Sequence, residues 1–384
     1  MRFLHTGDWH VGRTIRGRSR NDEFADALDE VVAIAVDQKV DVVLLAGDIY
    51  DKHVVSHEAD VLVFGTLIRL FEQGIQVVAI PGNHDSEARL AAFAPLLARV
   101  GTHVVPRVAP PEAGGIVTVA ARDGKQRASI ACLPFISPRR FSGAAELFES
   151  TSKGYVDFDA GVGQVLRAYE DAWDEDHVKI VMGHIFVSGS QPGGSEREIT
   201  VGADYAVAPQ QLPTTANYIA LGHIHKPQKV KGTGADTRYC GSLLQLDFGE
   251  KGQDKSVTVV EASPGKPAKA TDIAITSGRR LLDVDVTIAD LERVTGEVGN
   301  AYLSVNLAVE HTTPGLADQV RQALPNALDV RLVLPERPDE IERRSLRGLD
   351  PRQQFVSYYQ HAHQSEPPEE ILVAFDRVYE DVNG

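Results

Sequence analysis

Five short polar fragments, each following directly on an apolar run, constrain this chain more than any other feature: Asp8-Trp9-His10, Gly47-Asp48, Gly82-Asn83-His84-Asp85, Gly183-His184 and Gly222-His223-Ile224-His225. Residues 2–6, 42–46, 75–80, 179–182 and 218–221 read as buried strands, since each is a short, mostly apolar run. A polar residue just past such a strand lies at its carboxyl end, where open α/β sheets collect their ligands. One sheet edge would therefore gather all five fragments. Residues 129–134 read as another strand that brings no ligand.

Between the first strands, residues 22–38 carry Phe24, Leu28, Val31, Val32 and Ala35 at helical spacing. Residues 58–73 do the same with Val61, Phe64, Leu67, Ile68 and Phe71, predicted on one inward face. The order βαβαβ implies a parallel sheet. Two strand-rich halves on this plan suggest an α/β fold, a two-sheet sandwich flanked by helices. Residues 142–163 and 188–203 have no clear period and are expected to be surface loops, the second close enough to a ligand to touch substrate.

The pattern changes near residue 279. Strand, helix, strand, helix and strand are expected over 281–288, 289–298, 301–309, 314–324 and 327–334, a small α/β unit with no ligand-like cluster. Asp350 and Pro351 suit the start of a further helix. Residues 366–382 offer Leu372, Phe375, Val378 and Tyr379 at helical spacing, and Phe355 precedes them. This helical tail stands apart from any large core and would bury its apolar face against a partner. The division expected is 1–275, 279–336 and 345–384.

The five fragments supply three aspartates, one asparagine and several imidazoles, enough for two metal ions beside a phosphate ester. A phosphodiester resists hydrolysis because the attacking and leaving oxygens both carry negative charge; two metals about 3.5–4 Å apart stabilise both and generate hydroxide. Asp48, after a central strand, is the best bridging ligand. Asp8, His10 and His225 would complete one site; Asn83, His184 and His223 would complete the other. Mixed oxygen and imidazole donors suit Mn²⁺, Fe²⁺ or Zn²⁺. His84 adjoins Asn83, cannot easily reach the same metal, and is expected to face substrate as proton donor or phosphate stabiliser, with Asp85 orienting its ring. The competing reading of His84 is a hydrogen-bonded loop histidine.

Other histidines take plainer readings. His5 is expected to be a satisfied core residue, His53 and His57 a solvated approach to a helix, and His103, His177, His361 and His363 have no role assigned. Asp51 either influences the site or caps its segment. Arg13, Arg16, Arg18 and Arg20 follow the first fragment and either contact nucleic-acid phosphates or form a solvated loop. A formal charge of −15 weighs mildly against a nucleic-acid binder, although a metal pair adds local positive charge that this number omits. Cys132 and Cys240 are too few for a disulfide framework and are expected to be reduced structural residues. With no apolar run near 18 residues and no signal-like stretch over 1–12, a membrane-free, cytoplasmic protein is expected.

These residues resemble the calcineurin-like metallophosphoesterase superfamily, which combines the same five fragments in this order. More narrowly, the opening run 1–13, the run 218–226 and Arg238-Tyr-Cys-Gly-Ser242 are similar to the bacterial SbcD nuclease subunits, relatives of the eukaryotic and archaeal double-strand-break repair nuclease. The resemblance spans most of the chain. It implies a metallophosphoesterase sandwich with Asp8, His10, Asp48, Asn83, His184, His223 and His225 as ligands of two Mn²⁺ ions, and His84 as the catalytic histidine. It further implies that 279–336 is a capping domain that helps hold DNA, and that the helical tail docks on the coiled-coil base of an SbcC-type ATPase, in a heterotetramer containing a homodimer of this chain. The implied activities are ATP-independent single-strand endonuclease and ATP-linked double-strand exonuclease and hairpin cleavage. Archaeal relatives place a substrate-facing histidine three residues after the bridging aspartate; Asp51 stands there in this chain, and that role is not carried over to it.

Two other readings use the same residues: a small-molecule phosphodiesterase, for example on cyclic nucleotides, and a scaffold that retains the fold only to organise an ATPase. The extra unit and tail weigh against the first, because a small substrate needs neither. The complete ligand set weighs against the second.

Overall fold

Period-two alternation within the central strands sorts their side chains between two layers. In Val42–Ala46, Val42, Leu44 and Ala46 enter one core, while Val43 and Leu45 enter another. Strands covered on both faces read as continuous apolar runs, which is why these are visible in the sequence. A computed structural model describes residues 1–137, 158–196, 201–335, 349–363 and 365–383.

In chain order the first sheet takes β1 (Arg2–Thr6), β2 (Val42–Ala46), β3 (Gln76–Ile80) and β4 (Thr102–Val104). The second takes β5 (Ile116–Ala120), β6 (Arg127–Leu133), β7 (Val178–His184), β8 (Tyr218–Gly222), β9 (Gln228–Lys229) and β10 (Asp236–Tyr239). The chain then returns to the first sheet with β11 (Lys255–Glu261) and β12 (Lys269–Ile275). Strand orders are β12-β11-β1-β2-β3-β4 and β9-β10-β8-β7-β6-β5. β1 to β4 pair in parallel, as do β6, β7, β8 and β10; β11 closes antiparallel on β1.

The sheets face one another across an apolar layer that includes Phe3, Leu44 and Val78 from the first and Ile130, Ile180 and Tyr218 from the second. Helices α1 (Asn21–Asp37), α2 (His57–Glu72) and α3 (Glu87–Leu97) flank the first sheet, with α1 placing Phe24, Leu28, Val31 and Ala35 into its outer core. Helix α4 (Phe158–Asp171) covers the second with Val162, Val165, Leu166 and Tyr169. The expected two-sheet sandwich flanked by helices is therefore the observed one. Cys132 and Cys240 are buried and unbridged.

Two sequence expectations are corrected. In place of a loop over 142–163, residues 158–163 begin α4, whose apolar spacing is interrupted by Gly161 and Gly163, while 142–157 lie outside the described residues. On α2 the inward face is Ala59, Val63, Thr66, Leu67 and Leu70, leaving Val61 69% exposed and Ile68 and Phe71 about half exposed. The helix is apolar nearly all round, so spacing alone does not select its buried face. Thr66 can be buried because its hydroxyl donates to the Leu62 carbonyl at 2.9 Å.

Beyond residue 279, β13 (Leu281–Val286), α5 (Leu291–Val298), β14 (Tyr302–Ala308), α6 (Leu316–Ala323) and β15 (Ala327–Val333) follow in the expected order. Their parallel sheet, ordered β13-β14-β15, has its own core, which includes Leu291, Val294, Leu303, Val305 and Val320. Further on, the Asp350 carboxylate accepts from the Gln353 N–H at 2.8 Å and caps α7 (Pro351–His363). Phe355 of α7 stacks on Phe375 of α8 (Glu369–Asn383) with ring centroids 4.3 Å apart. Among the described residues no helix is long and apolar enough to cross a membrane.

A cationic and aromatic knot fastens β14 to the sandwich. The Arg18, Arg20 and Arg279 guanidiniums lie 5.6, 5.9 and 5.0 Å from the Tyr302 ring centre. Arg20 is 1% exposed; it donates two bonds to the Glu23 carboxylate at 3.1 and 2.8 Å and one to the Gln245 carbonyl. This corrects the expectation that Arg20 meets phosphate, since its donors are turned inward. Burial opposes the Glu23 charge, but Arg20 holds that carboxyl below its ordinary value. The pair therefore adds stability above the ordinary glutamate range and loses it as pH falls. Replacing Arg20 by Ala strands a largely buried carboxylate and should cost about 3–5 kcal/mol in urea unfolding near neutral pH. The deficit should shrink on acidification; a wild-type midpoint in this variant would refute the assignment.

Candidate metal centre

Four of the expected ligands sit in a backbone conformation that side chains disfavour. Asp8, His10, Asp48 and His223 have φ of 47°, 49°, 48° and 103°. Such strain costs on the order of 1–3 kcal/mol per residue and persists where the surrounding structure enforces it. Here the enforcing contacts are local: Asp8 N–H donates to the Gly47 carbonyl at 2.9 Å and His10 N–H to the Asp48 carbonyl at 3.0 Å, so the turns after β1 and β2 brace each other. Both turns leave their strands at the carboxyl end. From the second sheet, His184 is the last residue of β7 rather than the first after it, and His223 and His225 follow β8.

Two donor groups meet at Asp48. Its Oδ2 lies 3.5 Å from His10 Nε2 on one side and 3.4 Å from His184 Nε2 on the other. Beyond His10, His225 Nε2 stands 3.1 Å from His10 Nε2, and Asp8, His10, Asp48 and His225 bring ligand atoms within 4.8 Å of one another. Beyond His184, the Asn83 Oδ1 lies 3.1 Å from His184 Nε2 and 2.9 Å from His223 Nδ1. All seven expected ligands are buried and converge in these two groups.

Small residues make the convergence possible. A Cβ on Gly47 would stand 2.3 Å from His184 Nδ1, and one on Gly82 would stand 2.1 Å from Asp48 Oδ1. The ring of His184 instead passes Gly47 and is anchored by its Nδ1, 2.8 Å from the Ala46 carbonyl, which turns Nε2 towards Asp48 and Asn83. Asp48 Oδ1 accepts from the His84 N–H at 2.7 Å, and its other oxygen faces the imidazoles.

The electrostatics favour a bound cation. Burial opposes ionisation of Asp48, yet His184 and His10 keep its carboxyl well below the ordinary range. His184 is likewise buried, but Asp48 and Asp8 raise it to about 9. At His10 burial prevails and pushes the ring down to about 4, leaving a neutral imidazole. Buried carboxylates and imidazoles aimed at common points are the donor set that hard-to-intermediate divalent ions take. The residues present fit two such ions.

His84 lies beside the first group, its ring edge-on to His10 with centroids 4.6 Å apart and its Nδ1 2.8 Å from the Asp51 carbonyl oxygen. Asp85 does not orient it. The Asp85 carboxylate accepts from the Ile49, Tyr50 and Gly82 backbone N–H groups at 3.1, 2.9 and 2.9 Å, so it braces the loops behind the site, and the expectation of a catalytic Asp85 is corrected. Asp51 is buried with Oδ1 3.6 Å from His10 Nδ1 and 3.1 Å from Arg13 Nη1. Arg13 also donates to the Leu246 carbonyl and is mostly covered. Arg16 and Arg18 are exposed.

His5 is buried with both ring nitrogens bonded, to the Tyr218 hydroxyl and the Leu221 carbonyl; His53 and His57 are exposed. Sequence reasoning missed Phe135, whose ring centre lies 6.2 Å from those of both His184 and His223. It also missed Ser195, Glu250 and Lys255, which surround His225. A single apolar residue outside any motif carries no signal; the acidic and basic pair in 247–255 resembles ordinary surface charge.

Comparison with known proteins agrees with this geometry. The family described as Calcineurin-like phosphoesterase matches residues 1–227. The chain is 32% identical to the SbcD component of the SbcCD nuclease of Bacillus subtilis, over 97% of this chain and 96% of that one. It is 30% identical to the Escherichia coli K12 SbcD component, over 90% and 87%, and 32% identical to that of Rhodobacter capsulatus, over 69% and 67%.

Proposed function

This chain belongs to the calcineurin-like phosphoesterases and, within them, to the SbcD nuclease family, and from that premise we propose that it is the Mn²⁺-dependent nuclease subunit of a complex with an SbcC-type coiled-coil ATPase, acting on cytoplasmic DNA in repair and recombination. As a family member it is a metal-dependent phosphodiesterase. What carries the two-metal reading is the single Asp48 oxygen between two donor groups, 3.5 Å from His10 on one side and 3.4 Å from His184 on the other, and the likeness to SbcD components over most of the chain supports the nuclease.

When bound, the two divalent ions supply hydroxide at neutral pH and positive charge for the attacking and leaving oxygens. Asp8, His10, Asp48 and His225 would hold one ion, and Asp48, Asn83, His184 and His223 would hold the other. Asp48 would be shared, its Oδ1 being occupied by the His84 N–H while Oδ2 turns inward. His84 presents its ring to the substrate: Nδ1 donates to the Asp51 carbonyl, so the proton exchanged with a leaving oxygen is carried at Nε2.

The same proposal assigns 1–275 to the nuclease, 279–336 to a capping unit that helps hold DNA, and 345–384 to ATPase docking. Phe355 and Phe375 turn their faces to each other, and Leu372 is half-buried. Val378 and Tyr379, 61% and 43% exposed, are the better contacts for the coiled coil. Arg16 and Arg18 remain as phosphate contacts because both are exposed, although Arg16 also lies over Phe248 and Arg18 over Tyr302, whereas Arg13 and Arg20 are turned inward. Activities follow the family: single-strand endonuclease without ATP, double-strand exonuclease and hairpin cleavage with the ATPase. The exposed α2 residues Val61, Ile68 and Phe71, with Leu96 of α3 66% exposed, support a homodimer inside the heterotetramer.

Purified full-length chain with Mn²⁺ should cut end-labelled single-stranded DNA alone, and linear duplex and hairpin DNA when the ATPase and ATP are added; His225→Ala and His84→Gln should lose this cleavage. Turnover of a cyclic nucleotide without DNA cleavage would replace the nuclease by a small-molecule phosphodiesterase, and equal partner binding with no turnover of either would leave a scaffold. For Arg16→Ala and Arg18→Ala we expect weaker DNA binding across sequences and a salt dependence shallower by about one unit of slope per lost contact. An unchanged slope returns both to solvent. Val61→Asp with Ile68→Asp should sediment as a monomer while keeping its fold; a persistent dimer would move the interface elsewhere.

A further inference from the structure

Glu250 is fully buried and not part of either donor group, yet it touches one of the ligands. Its Oε1 lies 3.0 Å from His225 Nδ1 and also accepts from the Ser195 hydroxyl, whose oxygen stands 2.6 Å from the same Nδ1. Its Oε2 accepts from Lys255 Nζ at 2.7 Å, from the Leu246 N–H at 3.1 Å and from the Ser242 hydroxyl at 3.3 Å. Lys255 is 5% exposed and also donates to the His225 carbonyl at 2.9 Å. The His225 N–H donates to Glu196 Oε1 at 2.8 Å. Backbone and ring of this one histidine are thus gripped from three separate segments of chain.

A buried ion pair such as Glu250–Lys255 is a poor device for stability alone, because the desolvation of both charges offsets most of their attraction. Its placement has another use. A neutral imidazole presents either nitrogen as its lone pair, and a carboxylate on Nδ1 settles the choice in favour of Nε2 and makes that nitrogen more basic. The Nε2 of His225 then faces His10 Nε2, where the first donor group converges. His184 gets its orientation from a neutral carbonyl, so the two donor groups differ in the charge behind them.

We propose that Glu250, held by Lys255 and Ser195, is a positioning residue that fixes His225 for metal binding and makes the Asp8, His10 and His225 site the tighter of the two. This rests on the two-metal reading above.

The test counts bound metal rather than activity. Full-length wild type and Glu250→Gln are titrated with Mn²⁺ while the electron paramagnetic resonance signal of free ion is read, with circular dichroism to check folding. Because the glutamine leaves Lys255 uncompensated, Glu250→Gln with Lys255→Met is run beside it, removing both charges. The proposal expects two ions on wild type and, in both variants, one site weakened by about 10- to 100-fold with the other retained. Restoring the carboxylate as Glu250→Asp should recover part of the affinity. Two sites of wild-type affinity in folded variants would overturn it and leave Glu250–Lys255 as a structural pair. If wild type itself binds no Mn²⁺, the two-metal reading fails first and this proposal falls with it; wild-type binding with unaltered variants defeats only the proposal.

Discussion

Buried carboxylates facing buried imidazoles organise this structure. Asp8 and Asp48 are essentially inaccessible and the nitrogens around them point inward, an arrangement that is costly without a cation to share. The surroundings accept that cost in several ways at once. Four ligand residues hold left-handed backbone, two glycines clear space for His184 and Asp48, and two turns brace each other across the sheet edge. The sandwich supplies the rigidity: each ligand lies at or just beyond the end of a strand, so sheet register places the braced turns that carry most of the donors.

Much of this was legible because the same residues serve both purposes. A central parallel strand must be apolar throughout, and a ligand must follow it, so the alternation of apolar run and polar fragment reports fold and site together. Strand β2 and Asp48 are the clearest instance. Where burial is one-sided the signal weakened. Strands β11 and β12 mix charged and apolar residues and close the first sheet by long-range antiparallel pairing that no local pattern announces. Helix α2 is apolar on nearly every side, so spacing alone did not tell which side goes in.

The support behind the ligands was the least legible part. Asp85 stands in the most recognisable fragment of the chain, and its neighbour His84 invited the reading that it orients a ring; three backbone N–H groups claim it instead. Glu250 lies outside every recognisable fragment and stands behind His225 paired with Lys255 at the start of β11. Direct ligands are limited in chemical type and in position along a strand, and so leave a pattern. Groups that orient ligands can be a carbonyl, a carboxylate or a hydroxyl from any segment, and leave none.

The donors are strung from Asp8 to His225, and the group that steadies the last of them lies at Glu250. A ribosome works from the amino end, so the emerging chain carries Asp8, His10, Asp48 and Asn83 long before the histidines of the second sheet exist. A chain stopped before His225 lacks a donor of the first group, and one stopped short of β8 cannot make either group whole. The metal donors of this chain cannot therefore be assembled until synthesis has passed β8 and the histidines that follow it.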